Sequence, residues 1–304
     1  MSKPLPIQET VYGKSIFTTA AVLSNMALVK ENDSFEIYSM VLHAPDVADL
    51  VKAGQFCMIY LDKGELLLPR PVSFCDVDAE NGTVTLVYQV VGAGTKVMAK
   101  MVRGRSVKIL GPIGNGFFTE KFLEDGDGEE GSKLFECPSL VGLSTEFTPA
   151  KDVVVAVAGG GIGVAPLLNL VKILSQDGIQ VDVFLGFRKY PILLEEFGKY
   201  AKRLFVATDD GSFGHKGSAV DLVKSQQKTY VEFFACGPDP MMRAMAEYAY
   251  AQDIPCQVSL EQHMACGVGV CVGCVVDTDT GYQCICKCGP VVYTKGGGEQ
   301  WLQI

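Results

Sequence analysis

The chain has 304 residues, 48% of them hydrophobic, a length that is enough for two ordinary domains and a small third module. Its formal net charge of −9 excludes nucleic-acid binding, since that needs a basic face. No apolar run reaches the roughly 18–20 residues of a membrane span, and the stretch from Met1 to Thr10 lacks the apolar core of a signal peptide. Eleven cysteines without an export signal predict a cytoplasmic protein that uses them for metal binding.

Short β-type runs occupy the chain from Ser15 to about Leu110. Turn signals such as Glu80-Asn81-Gly82 separate them, and one short helix is predicted over Thr95–Met101. The predicted strands are Phe35–Tyr38 continuing into Met40–Leu42, then Gln55–Leu61, Val72–Cys75, Val84–Val90 and Val107–Leu110. This pattern predicts an antiparallel β-barrel domain over residues 1–118.

Residues 119–151 have a different composition. The stretch from Glu124 to Gly131 is acidic and rich in glycine, which is typical of an exposed insertion or linker. Such a run is usually only solvated, and contact with a partner is the alternative.

From Asp152 the pattern alternates between apolar runs and helical stretches. Val153–Ala158 is continuously apolar, as expected for a parallel strand that is covered on both faces. Further strands are predicted over Val181–Leu185, Leu204–Ala207 and Val231–Ala235, and helices over Ala165–Leu174, Leu193–Tyr200 and Met241–Ala251. This alternation predicts a doubly wound parallel α/β domain over residues 152–258.

Two glycine-containing turns follow predicted strands of this domain. The first consists of Gly159, Gly160, Gly161, Ile162 and Gly163, and Pro166 follows in the first turn of a helix. Glycines let the backbone approach a pyrophosphate, and the helix N-terminus supplies oriented N–H groups, so this turn predicts a nucleotide site. The second turn consists of Cys236, Gly237 and Pro238. Cys236 either faces a nicotinamide there or is a small buried residue that fills space.

Cys266, Cys271 and Cys274 have the spacing C-x4-C-x2-C, which is that of a plant-type [2Fe–2S] cluster. Cys286 is the expected fourth ligand. Cys284 and Cys288 flank it, and a strand through this stretch would send all three side chains to one face, so that any of them could complete the site. A zinc site is the main alternative, and a disulfide framework is a weaker one. A small cluster module is therefore predicted over residues 259–304.

The order of these motifs resembles that of the ferredoxin–NADP reductase superfamily, in which a flavin-binding barrel precedes an NAD(P)-binding domain. The barrel motifs are Arg70 to Ser73, Val87 to Gln89, and Gly94 with Thr95. The C-terminal stretches Ser259 to Glu261, Met264 to Cys271 and Cys286 to Val291 narrow the resemblance to the electron-transfer subunits of NAD-linked (class 1B) dihydroorotate dehydrogenases.

This resemblance implies FAD, a [2Fe–2S] cluster and NAD as substrate, together with a separate FMN-containing dihydroorotate dehydrogenase catalytic subunit in a heterotetramer. Electrons would then run from dihydroorotate through the partner's FMN, the cluster and FAD to NAD+. The residues implied to hold FAD are Arg70, Pro71, Val72, Ser73, Val87, Tyr88, Gln89, Gly94 and Thr95. The cluster would be held by Cys266, Cys271, Cys274 and Cys286.

The sequence also departs from the family pattern. Relatives often have an arginine where Gln89 stands, and His263 also replaces a frequent arginine. NAD is expected rather than NADP, because no arginine cluster for a 2′-phosphate is evident, although Arg188 and Arg203 are candidates for such a contact. Two alternatives stay open: the same cofactors in another complex, such as a ferredoxin–NADP transhydrogenase or a sulfide dehydrogenase, and a colourless binding module with a structural zinc.

Overall fold

The structure is a computed structural model that describes residues 15–31, 35–61, 67–119, 153–279, 281–294 and 302–303. The N-terminal stretch and nearly all of the predicted acidic insertion at 119–151 lie outside these residues. Within them, no helix has both the length and the apolar character that crossing a membrane requires.

Six strands form the first part of the fold: β1 (Ile16–Glu31), β2 (Phe35–His43), β3 (Phe56–Tyr60), β4 (Arg70–Asp78), β5 (Thr83–Gln89) and β6 (Ser106–Ile113). They close into a barrel in the order β1-β2-β5-β4-β3-β6, and all the pairings are antiparallel. Two short helices, α1 (Pro45–Ala48) and α2 (Ala93–Ala99), lie in the connections. Alternate apolar side chains such as Met40, Leu42 and Leu86 fill the interior. The predicted barrel is confirmed.

The predicted strands of the barrel omit β1, which has 16 residues. Its pairing with β2 shifts register between Val22 and Ser24 and again between Ala27 and Val29. Each shift interrupts the two-residue alternation by which a half-buried strand is identified. The two predicted runs within residues 35–42 form the single strand β2.

The second part of the fold is built on the parallel strands β7 (Val154–Gly160), β8 (Gln180–Phe187), β9 (Arg203–Thr208), β10 (His215–Lys216), β11 (Phe233–Cys236) and β12 (Cys256–Ser259). Helices α3 (Ala165–Gln176) and α4 (Leu194–Gly198) cover one face of this sheet. Helices α5 (Ala219–Ser225) and α6 (Asp239–Ala251) cover the other. The strand order β10-β9-β8-β7-β11-β12 changes direction between β7 and β11. Open α/β sheets bind ligands at such a switch point, outside the carboxyl ends of the strands.

The C-terminal module contributes to the same sheet. A hairpin of β13 (Val275–Thr278) and β14 (Gly281–Cys284) is followed by the one-turn helix α7 (Ile285–Cys288). Strands β15 (Val291–Thr294) and β16 (Leu302–Gln303) then add to β12 in antiparallel orientation, which gives eight strands in all. The division at residue 259 stays a prediction, since the sheet runs across it.

The segment that leaves the barrel, residues 114–119, joins the barrel to the sheet. Phe118 and the buried Gln257 exchange hydrogen bonds, from Phe118 N to Gln257 Oε1 at 2.9 Å and from Gln257 Nε2 to Phe118 O at 3.0 Å. The ring of Phe117 meets that of Phe234 edge to face, with 5.6 Å between the centroids. A pair of directional hydrogen bonds beside a ring contact fixes the relative position of the two parts.

Candidate functional site

The two predicted glycine turns meet at the switch point of the sheet. Gly159 at the end of β7 is in register with Cys236 at the end of β11. A Cβ atom on Gly163 would lie 2.6 Å from the Cα of Gly237 and 2.7 Å from its nitrogen. The turns therefore pack backbone against backbone, which only glycine permits.

Gly161 lies on the open side of this junction. Its φ is +57°, and a Cβ atom there would meet no other atom within 4 Å. A single turn of 3-10 helix over Gly161–Val164 leads directly into α3. The N–H groups at the start of these helical turns lack partners within the helix, so the turn can bind the pyrophosphate of a dinucleotide.

Cys236 is fully buried at the end of β11. Burial raises the pKa of its thiol, and the nearby negative charge of Glu261 raises it further. The side chain belongs to the apolar cluster that also contains Phe234. Cys236 is thus a neutral, enclosed group next to the nucleotide turn, and its contact with a nicotinamide stays a prediction.

The two arginines considered for a 2′-phosphate lie at opposite edges of the sheet. Arg188 follows β8 directly and is exposed at the carboxyl edge. Arg203 is the first residue of β9, so it lies at the amino edge. Its Nε and Nη2 donate to the buried Asp182 at 2.9 and 2.5 Å. The prediction that Arg203 could contact a 2′-phosphate is therefore wrong, because its guanidinium is bound at the edge away from the nucleotide turn.

Two residues at the carboxyl edge were missed by the sequence reasoning. Asp209 and Asp210 follow β9 directly, and both are exposed. Asp210 Oδ1 accepts a hydrogen bond from the backbone N–H of Ser212 at 2.9 Å, whereas Asp209 makes no side-chain hydrogen bond to any described residue. Their position, immediately after a parallel strand, was the signal in the sequence.

In the barrel, Arg70 lies directly over the start of α2. A Cβ atom on Gly94 would lie 2.0 Å from Arg70 Nε, so residue 94 must be glycine while the arginine holds this position. Arg70 also donates to the carbonyl of Leu68. Thr95 Oγ1 accepts hydrogen bonds from the N–H groups of Val91 and Gly92 at 2.9 and 3.1 Å. The predicted flavin residues Arg70, Gly94 and Thr95 thus lie together at the start of α2, and the guanidinium of Arg70 is a cation suited to binding a pyrophosphate.

The other predicted flavin residues lie along β4 and β5 with their side chains in different surroundings. Tyr88 points into the barrel, where its hydroxyl donates to Asn25 Oδ1 at 3.0 Å. Val87 points outward into the cluster that contains α3. Pro71 is exposed, Val72 is buried, and Ser73 and Gln89 are partly buried. Their contact with a flavin stays a prediction.

The four predicted cluster cysteines are gathered as two neighbouring pairs. The backbone nitrogen of Cys271 donates to Cys266 Sγ at 3.4 Å, so these two cysteines are neighbours. The backbone nitrogen of Cys286 donates to Cys274 Sγ at 3.3 Å, so these two are neighbours as well. No three His, Cys, Asp or Glu side chains within the described ranges are grouped around a single metal position. A [2Fe–2S] cluster takes four thiolates on two irons, which fits two pairs.

Backbone N–H groups of the loop point at these sulfurs. Val268 N and Cys271 N each donate to Cys266 Sγ at 3.4 Å, and Gly269 N donates to Cys286 Sγ at 3.1 Å. Burial acts to raise the pKa of Cys266, but hydrogen bonds from the backbone N–H groups of Val268, Cys271 and Val270 and from the Cys271 thiol outweigh it and lower the pKa to about 6. For Cys286, burial and the neighbouring Cys274 raise the pKa to about 12. The loop thus already carries donors that stabilise sulfur bearing negative charge.

The stretch Cys284 to Cys288 is not the strand that the alternating cysteines suggest. It forms the end of β14 and the helical turn α7, so the three side chains point in different directions. Only the thiol of Cys286 pairs with Cys274, while Cys288 Sγ donates to Gln283 Oε1 at 3.4 Å. Asn115 of the barrel segment holds this turn, donating from its backbone nitrogen to Gly289 O at 2.6 Å and from Nδ2 to Cys288 O at 2.9 Å.

Comparison with known proteins identifies the family. Residues 261–295, which include Cys266, Cys271, Cys274 and Cys286, match the model of the iron–sulfur cluster binding domain of dihydroorotate dehydrogenase B. The electron transfer subunit of dihydroorotate dehydrogenase B (NAD(+)) from Clostridium perfringens (strain 13 / Type A) is 35% identical over 267 residues, 86% of this chain and 93% of the relative. The chain belongs to this family of electron transfer subunits. The subunit from Geobacillus kaustophilus (strain HTA426) is also 35% identical, over 84% of this chain and 90% of its own length.

Solved structures support the same fold. The structure of the NADH-dependent reduced ferredoxin–NADP oxidoreductase is similar with a TM-score of 0.71 and 24% identity, over 90% of this chain and 87% of that one. A ferredoxin–NADP+ reductase from Neisseria gonorrhoeae gives a TM-score of 0.55 and 17% identity, over 78% and 91% of the two chains. The predicted combination of barrel, α/β domain and cluster module is confirmed. The match to the iron–sulfur cluster binding domain also favours an iron–sulfur cluster over zinc in the cysteine site.

Proposed function

We propose that this chain carries electrons from dihydroorotate, oxidised on a separate FMN-containing catalytic subunit, to NAD+, using a [2Fe–2S] cluster and FAD. The observation that carries this proposal is that one chain of the dihydroorotate dehydrogenase B family combines a four-thiol loop with a nucleotide turn at a sheet switch point. Bound FAD supplies the step between carriers, because a flavin exchanges single electrons with a cluster and hydride with a nicotinamide.

The residues of the chain serve mainly to bind and to orient. Arg70 and Gly94 would hold the FAD pyrophosphate, the guanidinium supplying charge and the glycine leaving room for it. The junction of Gly161, Gly163 and Gly237 would hold the pyrophosphate of NAD. No side chain is required as a general acid or base, since the relay needs only that the carriers be held close to each other.

The surface around the cysteine loop is suited to a protein partner. Cys271 is exposed, and Val268, Val270, Val272 and Tyr282 of the same module are exposed apolar residues. Val272 has a φ of +50°, a left-handed conformation that is unfavourable for a β-branched residue. Because its side chain is also exposed, burial within this chain does not offset that strain. Contact with a catalytic subunit that covers these residues would offset the strain, and the cluster would then lie close to the interface between the two subunits.

The proposal also covers the assembly of the complex and its location in the cell. The complex would be a heterotetramer with two copies of each subunit, formed through the exposed face of the cluster module. It would work in the cytoplasm, where cysteine thiols stay reduced and available to iron.

A cysteine substitution tests the cofactor assignment. Cys271→Ser should remove the visible absorbance and the electron paramagnetic resonance signal of the cluster while FAD stays bound, because one iron loses a thiolate. Cys288→Ser is the matched control, since its thiol bonds to Gln283 and should leave both signals unchanged. An unaltered cluster spectrum in Cys271→Ser would contradict the ligand assignment.

The reaction itself is tested on the complex purified with its native partner. We expect dihydroorotate-dependent reduction of NAD+ that is lost when this chain is omitted. If NADH bleaches the flavin but dihydroorotate gives no reaction, the cofactor assignment holds and the donor subunit is a different one.

A further inference from the structure

A β-bulge in strand β4 faces the nucleotide-binding domain. Phe74 pairs with Leu86 but Asp76 pairs with Thr85, so Cys75 is an extra residue in β4. Phe74 points into the barrel, whereas Cys75 is buried in the cluster that contains apolar residues of α3. Because of the extra residue, Cys75 and the following Asp76 both face the nucleotide-binding domain.

Lys172 of α3 closes this contact. Its Nζ donates to Asp76 Oδ1 at 2.8 Å and to the backbone carbonyl of Val77 at 2.7 Å. Asp76 Oδ1 also accepts from the N–H of Val77 at 2.9 Å. The lysine side chain is 17% exposed and that of Asp76 is 36% exposed. The ammonium group is therefore held by two oxygens, and one of them is a backbone carbonyl whose position the strand fixes.

The two elements joined here each begin at a cofactor site. Strand β4 begins at Arg70, the predicted flavin arginine, and α3 begins immediately after the glycine turn proposed for NAD. A displacement of α3 along β4 would therefore move the nucleotide turn relative to the flavin segment. Hydride transfer depends strongly on that relative position, and a misplacement of about 1 Å can lower a rate by about 100-fold.

We propose that Lys172 is a positioning residue for hydride transfer: by binding the bulge at Asp76 and Val77, it sets the position of the nicotinamide against the flavin. This inference rests on the proposed function. Another ion pair also joins the two parts of the molecule, between Lys189 Nζ and Glu31 Oε1 at 3.0 Å, but its side chains are 56% and 39% exposed. An exposed pair of that kind contributes little to a fixed geometry, so Lys189 provides a matched control.

The test compares Lys172→Met, Lys172→Arg and Lys189→Met in the isolated holoprotein. Rapid mixing with NADH under anaerobic conditions measures flavin bleaching and the long-wavelength charge-transfer absorbance between nicotinamide and flavin. We expect Lys172→Met to keep its FAD and iron but to bleach at least about tenfold more slowly, with weaker charge-transfer absorbance. Lys172→Arg should recover most of the rate, and Lys189→Met should stay within about twofold of the unmodified protein.

A rate for Lys172→Met equal to that of the unmodified protein would overturn the inference, as would a slowdown that merely follows loss of FAD. Should Lys172→Met fail to fold, Asp76→Ala replaces it, because alanine offers no acceptor to Lys172, and a normal bleaching rate in that variant would also overturn the inference. Where both variants fold, the double variant should be no slower than the slower single one, because both changes remove the same contact. If NADH does not bleach the flavin of the unmodified protein, the proposed function fails, and this inference fails with it.

Discussion

The two edges of the parallel sheet carry different kinds of residue. At the carboxyl edge, Gly163 and Gly237 touch through their backbones and Gly161 faces open space. At the amino edge, the fully buried Asp182 accepts hydrogen bonds from Arg203 and from Lys228, whose Nζ lies 3.1 Å from Asp182 Oδ2.

The carboxyl edge is therefore suited to ligand binding, whereas the amino edge contributes to stability. The amino edge has the charged side chains that suggest a ligand site, but they already bind one another. The carboxyl edge has almost no side chain at the junction, and its backbone N–H groups remain available to a ligand. A cluster of charges at a sheet edge therefore indicates function only if its members are not already paired with each other.

The largest expected effect is on stability, at the amino edge. Asp182→Ala removes the carboxylate that Arg203 and Lys228 share, and because these two cations are 39% and 32% exposed we expect the loss in the free energy of unfolding to be that of the hydrogen bonds to a charged group, about 2–3 kcal/mol. NADH should still bleach the flavin, because the nucleotide turn lies at the opposite edge. Chemical denaturation measures the stability, and NADH titration measures nucleotide binding. A variant of normal stability with weakened NADH binding would show that the amino edge serves binding rather than stability.

The pH dependence of Asp182 sharpens this point. Burial acts to raise its pKa, but the hydrogen bonds from Arg203 and Lys228 outweigh that effect and lower the pKa below its ordinary value. The stabilisation is therefore complete well above about pH 3.9, the value in the unfolded chain, and is lost as the pH falls through the lower folded value. We expect the stability advantage of the unmodified protein over Asp182→Asn to shrink between about pH 5 and pH 3. A constant difference over that range would contradict the assignment.

At the carboxyl edge, Gly163→Ala places a Cβ atom against the backbone of Gly237, where no side-chain rotation can relieve the contact. We expect a loss of about 1–3 kcal/mol in stability together with a marked loss of NADH-dependent flavin bleaching. Gly198→Ala in α4 is the control, because its Cβ atom would meet no other atom within 4 Å. It should be neutral or slightly stabilising. Equal behaviour of the two variants would show that the backbone contact does not shape the nucleotide site.

The sequence predicted each glycine turn separately, because each follows a buried strand. That Gly163 touches Gly237 depends on β11 returning to lie beside β7, and local patterns do not contain this pairing. The prediction for Arg203 is wrong for a simpler reason: Arg203 is the first residue of its strand, so the direction of a parallel strand already places it at the amino edge. The same rule, applied to the residues that follow the strand, would have identified Asp209.

In the cysteine module, by contrast, the local loop is predictable from the sequence, and a short periodic run is what misleads. The spacing from Cys266 to Cys274 is local, so the sequence alone can predict three ligands; the family model covers these residues, and each ligand assignment stays a prediction. The alternation of Cys284 and Cys286 imitates a strand, but four residues after β14 form a helical turn instead. Short periodic runs do not distinguish the two, and only the thiol pairing in three dimensions favours Cys286.

The smallest expected effect concerns the choice between NAD and NADP. Asp209 is an exposed carboxylate at the carboxyl edge, where open α/β sheets bind their ligands. Its negative charge would repel the 2′-phosphate of NADP but not the 2′-hydroxyl of NAD. Asp209→Asn should reduce the preference for NADH over NADPH by about tenfold, a change of about 1.4 kcal/mol, with little change in stability. Asp177→Asn makes the same charge change at the far end of α3 and should leave the preference unaltered. Flavin bleaching at several concentrations of each nucleotide measures the ratio, and equal ratios in the two variants would assign the discrimination to other residues of the carboxyl edge.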